Sequence, residues 1–357
     1  MMVNIIKLKS YSFTRNIIII AFITGCIFNM NAQSNIKVGA YYAGWMQGWY
    51  NNGRLPAESI DFNTLDYVIH FALFPKSDGT FDNLANSIRE SNSEALVKAA
   101  HAAGKKVLIS IGGWNSADAF RESTSSFRLA TFVVNLVNFM TVRGYDGIDI
   151  DWEPLQLSDA PKYIAFITTL RTVLDLMKPN SLLMAANGRE GTIFSQIHQH
   201  FDQINLMTYD LAGPWGGWVT WHNSPLYDGG YEFPGSGGLV PSASNMVDEF
   251  IAAGVPANKI GIGIDFYGYI WKGGRGTTTG GVTEPRQSWT NPPELFPNVP
   301  YFQIMNEHFR PDLYRWDSSA SVPYLKIDTP CDWTDMFISY EDERTCKAKV
   351  DYAKKKS

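Results

Sequence analysis

Charged and metal-ligating side chains are sparse in this sequence. Asp, Glu, Lys and Arg make up 18% of the 357 residues and the net charge is -5. No basic patch is left to neutralise phosphates, which excludes a nucleic-acid partner. The six histidines (His70, His101, His198, His200, His222 and His308) are scattered. Only His198 and His200 sit two apart, and no cysteine or third ligand clusters with them, so no metal site is expected. A Gly-x-Gly-x-x-Gly phosphate turn is also missing, and no cofactor is implied.

No apolar run reaches the roughly 18 residues that a membrane helix needs. Ile17 to Phe28 is apolar but short, and it follows Lys7, Lys9 and Arg15 in the manner of a secretory leader. Cleavage after Ala32 is the preferred reading, giving a leader over 1–32. Ile23-Thr24-Gly25-Cys26 also looks like a lipobox, which would make Cys26 a lipid-anchored terminus. Both readings take the protein out of the cytoplasm, as a secreted protein or a cell-surface lipoprotein. Of three cysteines, Cys331 and Cys346 then remain. An oxidising compartment permits a bridge between them without establishing one, and free thiols are the expected state.

Aromatic residues are abundant, at 14% with 11 Trp and 17 Tyr. They suit a well-packed core, and they equally suit a surface that stacks on the apolar faces of neutral sugars. Along the chain, apolar runs alternate with helical patterns. Strands are read at Ile36 to Trp45, Leu65 to Phe74, Lys106 to Gly113, Tyr145 to Glu153, Leu182 to Ala186, Gln203 to Asp210 and Ile260 to Gly268. Helices are read near Ser87 to Ala103, Ala117 to Val142, Pro161 to Met177, Phe194 to His200, Ser242 to Ala253 and Asp342 to Lys355. Near-continuous apolar strands such as LDYVIHFALF are buried on both faces, as in a parallel sheet. Strand–helix alternation without a phosphate turn predicts a (β/α)8 barrel over 36–357.

The fourth strand, Tyr145-Asp146-Gly147-Ile148-Asp149-Ile150-Asp151-Trp152-Glu153-Pro154, is the most informative stretch. Its alternation puts Asp149, Asp151 and Glu153 on one face and Ile148, Ile150 and Trp152 on the other. Like charges roughly 7 Å apart along a strand repel when desolvated, which raises the pKa of at least one of them. That group becomes a proton donor near neutral pH. The alternatives are an exposed acidic face or a calcium loop, but the glycine and glutamate spacing of an EF-hand is missing.

This run resembles the DxxDxDxE signature of glycoside hydrolase family 18, the chitinases and endo-β-N-acetylglucosaminidases, with Asp146, Asp149, Asp151 and Glu153 at the acidic positions. Ser110-Ile111-Gly112-Gly113 matches its SxGG motif and Met207-Thr208-Tyr209-Asp210 its MxYD motif. Asn223-Ser224-Pro225-Leu226-Tyr227 also has the look of the family. The resemblance implies hydrolysis of β-1,4-linked N-acetylglucosamine polymers, above all chitin, in which the sugar's own acetamide is the nucleophile. It implies Glu153 as general acid and base, Asp151 as the group that orients the acetamide, Asp149 sharing a proton with Asp151, and Tyr209 as a hydroxyl donor to the acetamide oxygen. Tyr41, Phe71, Gly113, Trp114, Met207, Asp210 and Trp215 are the candidate substrate-binding residues. The expected partner is chitin or an oligosaccharide of N-acetylglucosamine, bound by a monomer. The family often has Pro and Arg in strand seven, where Asp265 and Tyr269 stand here, so contacts from that strand do not carry over. Asp265 adds a carboxylate that could face the cleft.

Seven strands are identified where a closed barrel needs eight, and no residue matches the family's tryptophan on the last strand. The expectation is an incomplete barrel, from a chain truncated before that strand. Residues 269–340, rich in Gly and Pro, resemble the small insertion of many family members, with a short helix near Tyr301 to Phe309; a solvated loop is the other reading. Two further functions stay open: a carbohydrate-binding protein with little turnover, and an endo-β-N-acetylglucosaminidase acting on N-glycans.

Overall fold

The computed structural model describes residues 36–48 and 53–356. The leader expected over 1–32, with Cys26, lies outside them.

The parallel sheet is built from β1 (Gly39–Ala43), β2 (Tyr67–Pro75), β4 (Lys106–Gly113), β5 (Gly147–Trp152), β6 (Leu182–Asn187), β7 (Gln203–Leu206) and β8 (Ile260–Ile262). These seven strands pair in chain order, and the two-residue β3 (Phe81–Asp82) adds an antiparallel hairpin to β2. Between them run α1 (Glu90–Ala102), α2 (Ala117–Ser123), α3 (Leu129–Val142), α4 (Ala160–Met177), α5 (Gly191–Ile197) and α6 (Ala243–Ala253). The result is an incomplete (β/α) barrel, as the strand count predicts.

Alternation along the strands sorts side chains between two compartments. Outward residues, among them Val107, Ile109, Ile111, Ile148, Ile150 and Trp152, join the main apolar core beneath the helices. Trp152 stacks on Phe120 of α2 with centroids 4.7 Å apart, and it meets Tyr163 of α4 edge-on at 5.7 Å. These contacts fix β5 in depth and rotation. Inward residues at the base form a separate apolar plug of Tyr67, Ile69, Leu108 and Met184. The next inward positions up β4 and β5 are polar: Ser110 and Asp149. The barrel interior therefore turns from apolar to acidic toward the carboxyl ends of its strands, where barrel enzymes hold their chemistry.

Two elements differ from the sequence reading. The helix read over Ala117 to Val142 is two helices, because Ser123 and Thr124 fold their hydroxyls back on Ala119 O and Phe120 O and the polar stretch Ser123-Thr124-Ser125-Ser126 ends α2. The strand read over Ile260 to Gly268 stays in the barrel only to Ile262. After a turn it resumes as β9 (Tyr267–Lys272) in a second sheet. That sheet also contains β10 (Glu294–Pro300), β11 (Tyr314–Asp317), β12 (Val322–Ile327) and β13 (Met336–Ser339), in the antiparallel order β10-β9-β13-β12-β11. Helix α7 (Tyr301–Glu307) lies near the position read from the sequence. Residues 269–340 thus contribute strands and a helix to a second folded sheet. Trp271, Val322 and Phe337 pack one face and Ile270, Leu325 and Ile338 the other.

Helix α8 (Glu343–Lys356) returns the chain to the barrel. Its Lys349 is buried and pairs with buried Glu341 at 2.7 Å, while also donating to Ser224 Oγ and Gly263 O. Cys331 is exposed and Cys346 half-buried, and both are free thiols. Among the described residues no helix is long and apolar enough to cross a membrane.

Candidate active site

The site grows from the end of β5. Register pairs Gly112 with Asp151, and a Cβ at Gly112 would lie 1.8 Å from the Asp151 carbonyl oxygen. Only glycine allows β4 to approach this closely. At Gly113, whose φ is +102°, a Cβ would come within 3.0 Å of the Phe71 ring. The SxGG motif therefore serves close packing around the acidic strand. Beyond it, Ser116 Oγ accepts from Glu153 N at 3.1 Å, and Ala117 N donates to Glu153 O at 3.0 Å. These bonds tie the backbone of Glu153 to the start of α2.

Asp149 and Asp151 are both buried, Glu153 half so. Asp149 accepts from Ser110 Oγ at 2.8 Å and from Tyr41 Oη at 3.1 Å. Asn205 on β7 donates to Tyr41 Oη at 3.3 Å and accepts from Gln203 at 2.7 Å, so a polar chain crosses the barrel. Burial pushes Asp149 up to about 7, although its two hydrogen bonds pull the other way. Asp151 is raised well above the usual carboxylate range by burial, then by the charges of Glu153 and Asp149. Glu153 is raised by burial, and further by the charge of Asp210, while its hydrogen bond with Asp151 lowers it.

Asp151 Oδ1 is buried without a hydrogen-bond partner among the described residues, and the charge of Glu153 raises Asp151 more than that of Asp149 does. Ser110 and Tyr41 already hold both oxygens of Asp149.

Tyr209 packs edge-on against Tyr267 at 6.1 Å. Burial and the charges of Asp151 and Asp210 keep its phenol protonated, and its hydroxyl has no partner among the described residues. Asp210 is exposed, with φ at +59°. Its Oδ1 accepts from Tyr267 and Tyr269, each at 2.8 Å, and its N–H donates to Asn223 Oδ1 at 3.0 Å. Phe71 sits between Tyr41 and Trp45, edge-on to both at 6.3 and 6.0 Å. Trp114 is 70% exposed at the barrel mouth, just past Gly113. Trp215 stands against Trp218 at 4.5 Å and shares with Asp210, Arg189 and Phe233 the wall of a cavity of about 400 Å³. Met207 is half-buried and bonds through its backbone N to Asn187 O at 2.9 Å.

The structure thus gathers Tyr41, Phe71, Asp149, Asp151, Glu153, Tyr209 and Asp210 around one acidic centre, flanked by Trp114 and Trp215. Asp265 departs from its expected place, since it is buried against Asn223 and Glu341 and does not open to the cleft. Asn205, Tyr267 and Tyr269 are participants the sequence reading left out. Their contacts span 57 residues or more, so no local pattern signals them. His198 and His200 lie in a short 3-10 turn, and among the described residues no three acidic, histidine or cysteine side chains are placed to hold a metal ion.

An exposed tryptophan-flanked cleft with a row of carboxyls at the mouth of a (β/α) barrel is the arrangement of a glycoside hydrolase. Residues 37–357 match glycosyl hydrolases family 18. Chitinase 1 of Aphanocladium album is 28% identical over 295 residues, covering 72% of this chain and 67% of its own length. Chitinase A1 of Niallia circulans is 29% identical over 286 residues, covering 70% of this chain and 39% of its own. The chain thus spans between about two fifths and two thirds of these relatives. A chitinase structure from Rhizomucor miehei superposes with a TM-score of 0.72 at 22% identity, covering 90% of this chain and 92% of that one, a likeness of fold. The chain belongs to glycoside hydrolase family 18 and is chitinase-like.

Proposed function

We propose that this chain is a secreted chitinase that cleaves β-1,4 bonds between N-acetylglucosamine units with retention, Glu153 acting first as acid and then as base. The observation that carries the reading is the end of β5, where the buried Asp149 and Asp151 lead to a half-buried Glu153 whose backbone is tied to Ser116 and Ala117. Asp151 and Glu153 follow one another along one strand, so the two do not face each other across a sugar ring. A two-carboxylate retaining site needs its groups about 5 Å apart across the sugar. Family 18 is among the exceptions to that rule, in which the acetamide of the substrate attacks.

In this reading Glu153 gives its proton to the glycosidic oxygen while the acetamide oxygen bonds to C1, forming an oxazolinium ion. Asp151 accepts the acetamide N–H and balances the positive charge as it develops. The free hydroxyl of Tyr209 donates to the acetamide oxygen and aims it. Asp149, anchored by Ser110 and Tyr41, backs Asp151 from within the barrel. Glu153 then takes a proton from water, which opens the ring on the same face. Trp114 and Trp215 stack on sugar units to either side. The leader over 1–32 exports the protein, which acts as a monomer.

The test is proton NMR of the first products from a short chito-oligosaccharide. The β anomer is expected ahead of mutarotation, and an initial α anomer would overturn the acetamide mechanism. Release of glycans from a high-mannose glycoprotein, without chito-oligosaccharide cleavage, would move the substrate to N-glycans.

A further inference from the structure

Behind the cleft lies a buried chain of polar groups that the proposed reaction does not use. Lys349 of α8 pairs with Glu341 at 2.7 Å, both about 1% exposed. Asp265 donates its backbone N–H to Glu341 Oε2 at 3.1 Å, and its own Oδ1 is buried without a hydrogen-bond partner among the described residues. Burial, and then the charge of Glu341, raises Asp265 well above the usual carboxylate range. The other oxygen of Asp265 accepts from Asn223 Nδ2. That bond fixes which way the Asn223 amide points, leaving its Oδ1 to receive the Asp210 N–H at 3.0 Å. Asp210 has a left-handed backbone, which a non-glycine residue keeps only when its surroundings enforce it. The Tyr269 hydroxyl, with that of Tyr267, then closes on Asp210 Oδ1 at 2.8 Å.

We infer that Asp265 and Tyr269 are positioning residues, which hold Asp210 toward the substrate, Asp265 from behind through Asn223 and Tyr269 from the side by its hydroxyl. Asp265 comes from the turn between β8 and β9, and Tyr269 from β9. The inference rests on the proposed reaction, in which Asp210 lines the bound sugar.

The test is a double-mutant cycle on kcat/KM for a chito-oligosaccharide. Tyr269→Phe is expected to lose about fivefold, the net worth of one ordinary hydrogen bond since Tyr267 keeps its own, and Asp265→Ala more than that. Asp265→Asn should keep at least half of wild-type activity, because an amide oxygen can accept from Asn223 just as the carboxyl does. In an Asp210→Ala background, Tyr269→Phe and Asp265→Ala should each cost less than twofold more. Full additivity there, or an Asp265→Asn variant as weak as Asp265→Ala, would overturn the inference. If Asp265→Ala fails to fold, the Tyr269→Phe and Asp265→Asn arms decide it. If the wild-type chain hydrolyses nothing, the enzyme reading fails alone, because the same cycle is then read from calorimetric binding of the N-acetylglucosamine trisaccharide.

Discussion

Replacing Glu153 by Gln is expected to lower kcat on a chito-oligosaccharide by about 10³-fold and to leave KM within about twofold. Gln has the same shape and can still hydrogen-bond to Asp151, but it has no proton to transfer. Burial and the neighbouring Asp210 charge raise Glu153 as a proton donor, against the pull of Asp151. The loss should therefore fall on the chemical step and spare binding. Release of reducing ends at saturating substrate measures it. A loss under tenfold would mean that another group protonates the leaving oxygen.

The second large effect is on stability. Asp149 is neutral in the folded chain up to about pH 7, whereas in the unfolded chain it ionises near its ordinary value of 3.8. Between those values the folded state binds more protons than the unfolded state, so stability falls as pH rises through this window. Burial of Asp149 accounts for a fall on the order of 4 kcal/mol. Asp151 and Asp265, also raised, act in the same direction. Asp317 is held below the usual carboxylate range by its bonds to His222 and Ser319 and by the charge of Arg286, despite its burial. Its contribution is lost only in stronger acid, outside the window. Denaturant unfolding at pH 5 and pH 8 should thus show a change in stability across this interval that is less favourable by about 3 kcal/mol for the wild-type chain than for Asp149→Asn. Equal changes in the two proteins would show that Asp149 is charged inside the barrel.

Sequence periodicity revealed β5 and its acids because one face of that strand is greasy and the other acidic, a contrast that alternation exposes directly. The two glycines of the SxGG motif were equally legible, being required by a close approach of backbones. The passage from β8 to β9 was not. Alternation continues through Ile260 to Gly268 while the chain changes sheets, and period two says nothing about which strand is the neighbour. The insertion was obscured by its Gly and Pro content, and because both faces of its sheet are buried. Placement of Asp210 was legible in its motif, but its restraint by Tyr267, Tyr269 and Asn223 was not. Those bonds come from elements that meet only when the insertion folds against the barrel mouth.

The role given to the substrate's acetamide can be measured directly with two oligosaccharides of equal length, one of N-acetylglucosamine and the other its deacetylated counterpart. The carboxylates of the cleft should bind the protonated amines of the second at least as well, so a difference in kcat cannot be laid to affinity. Cleavage of the acetylated chain, with none of the deacetylated one beyond the Glu153→Gln background, is the predicted result. Comparable kcat on both would contradict it, since the attacking atom would then have to come from the protein.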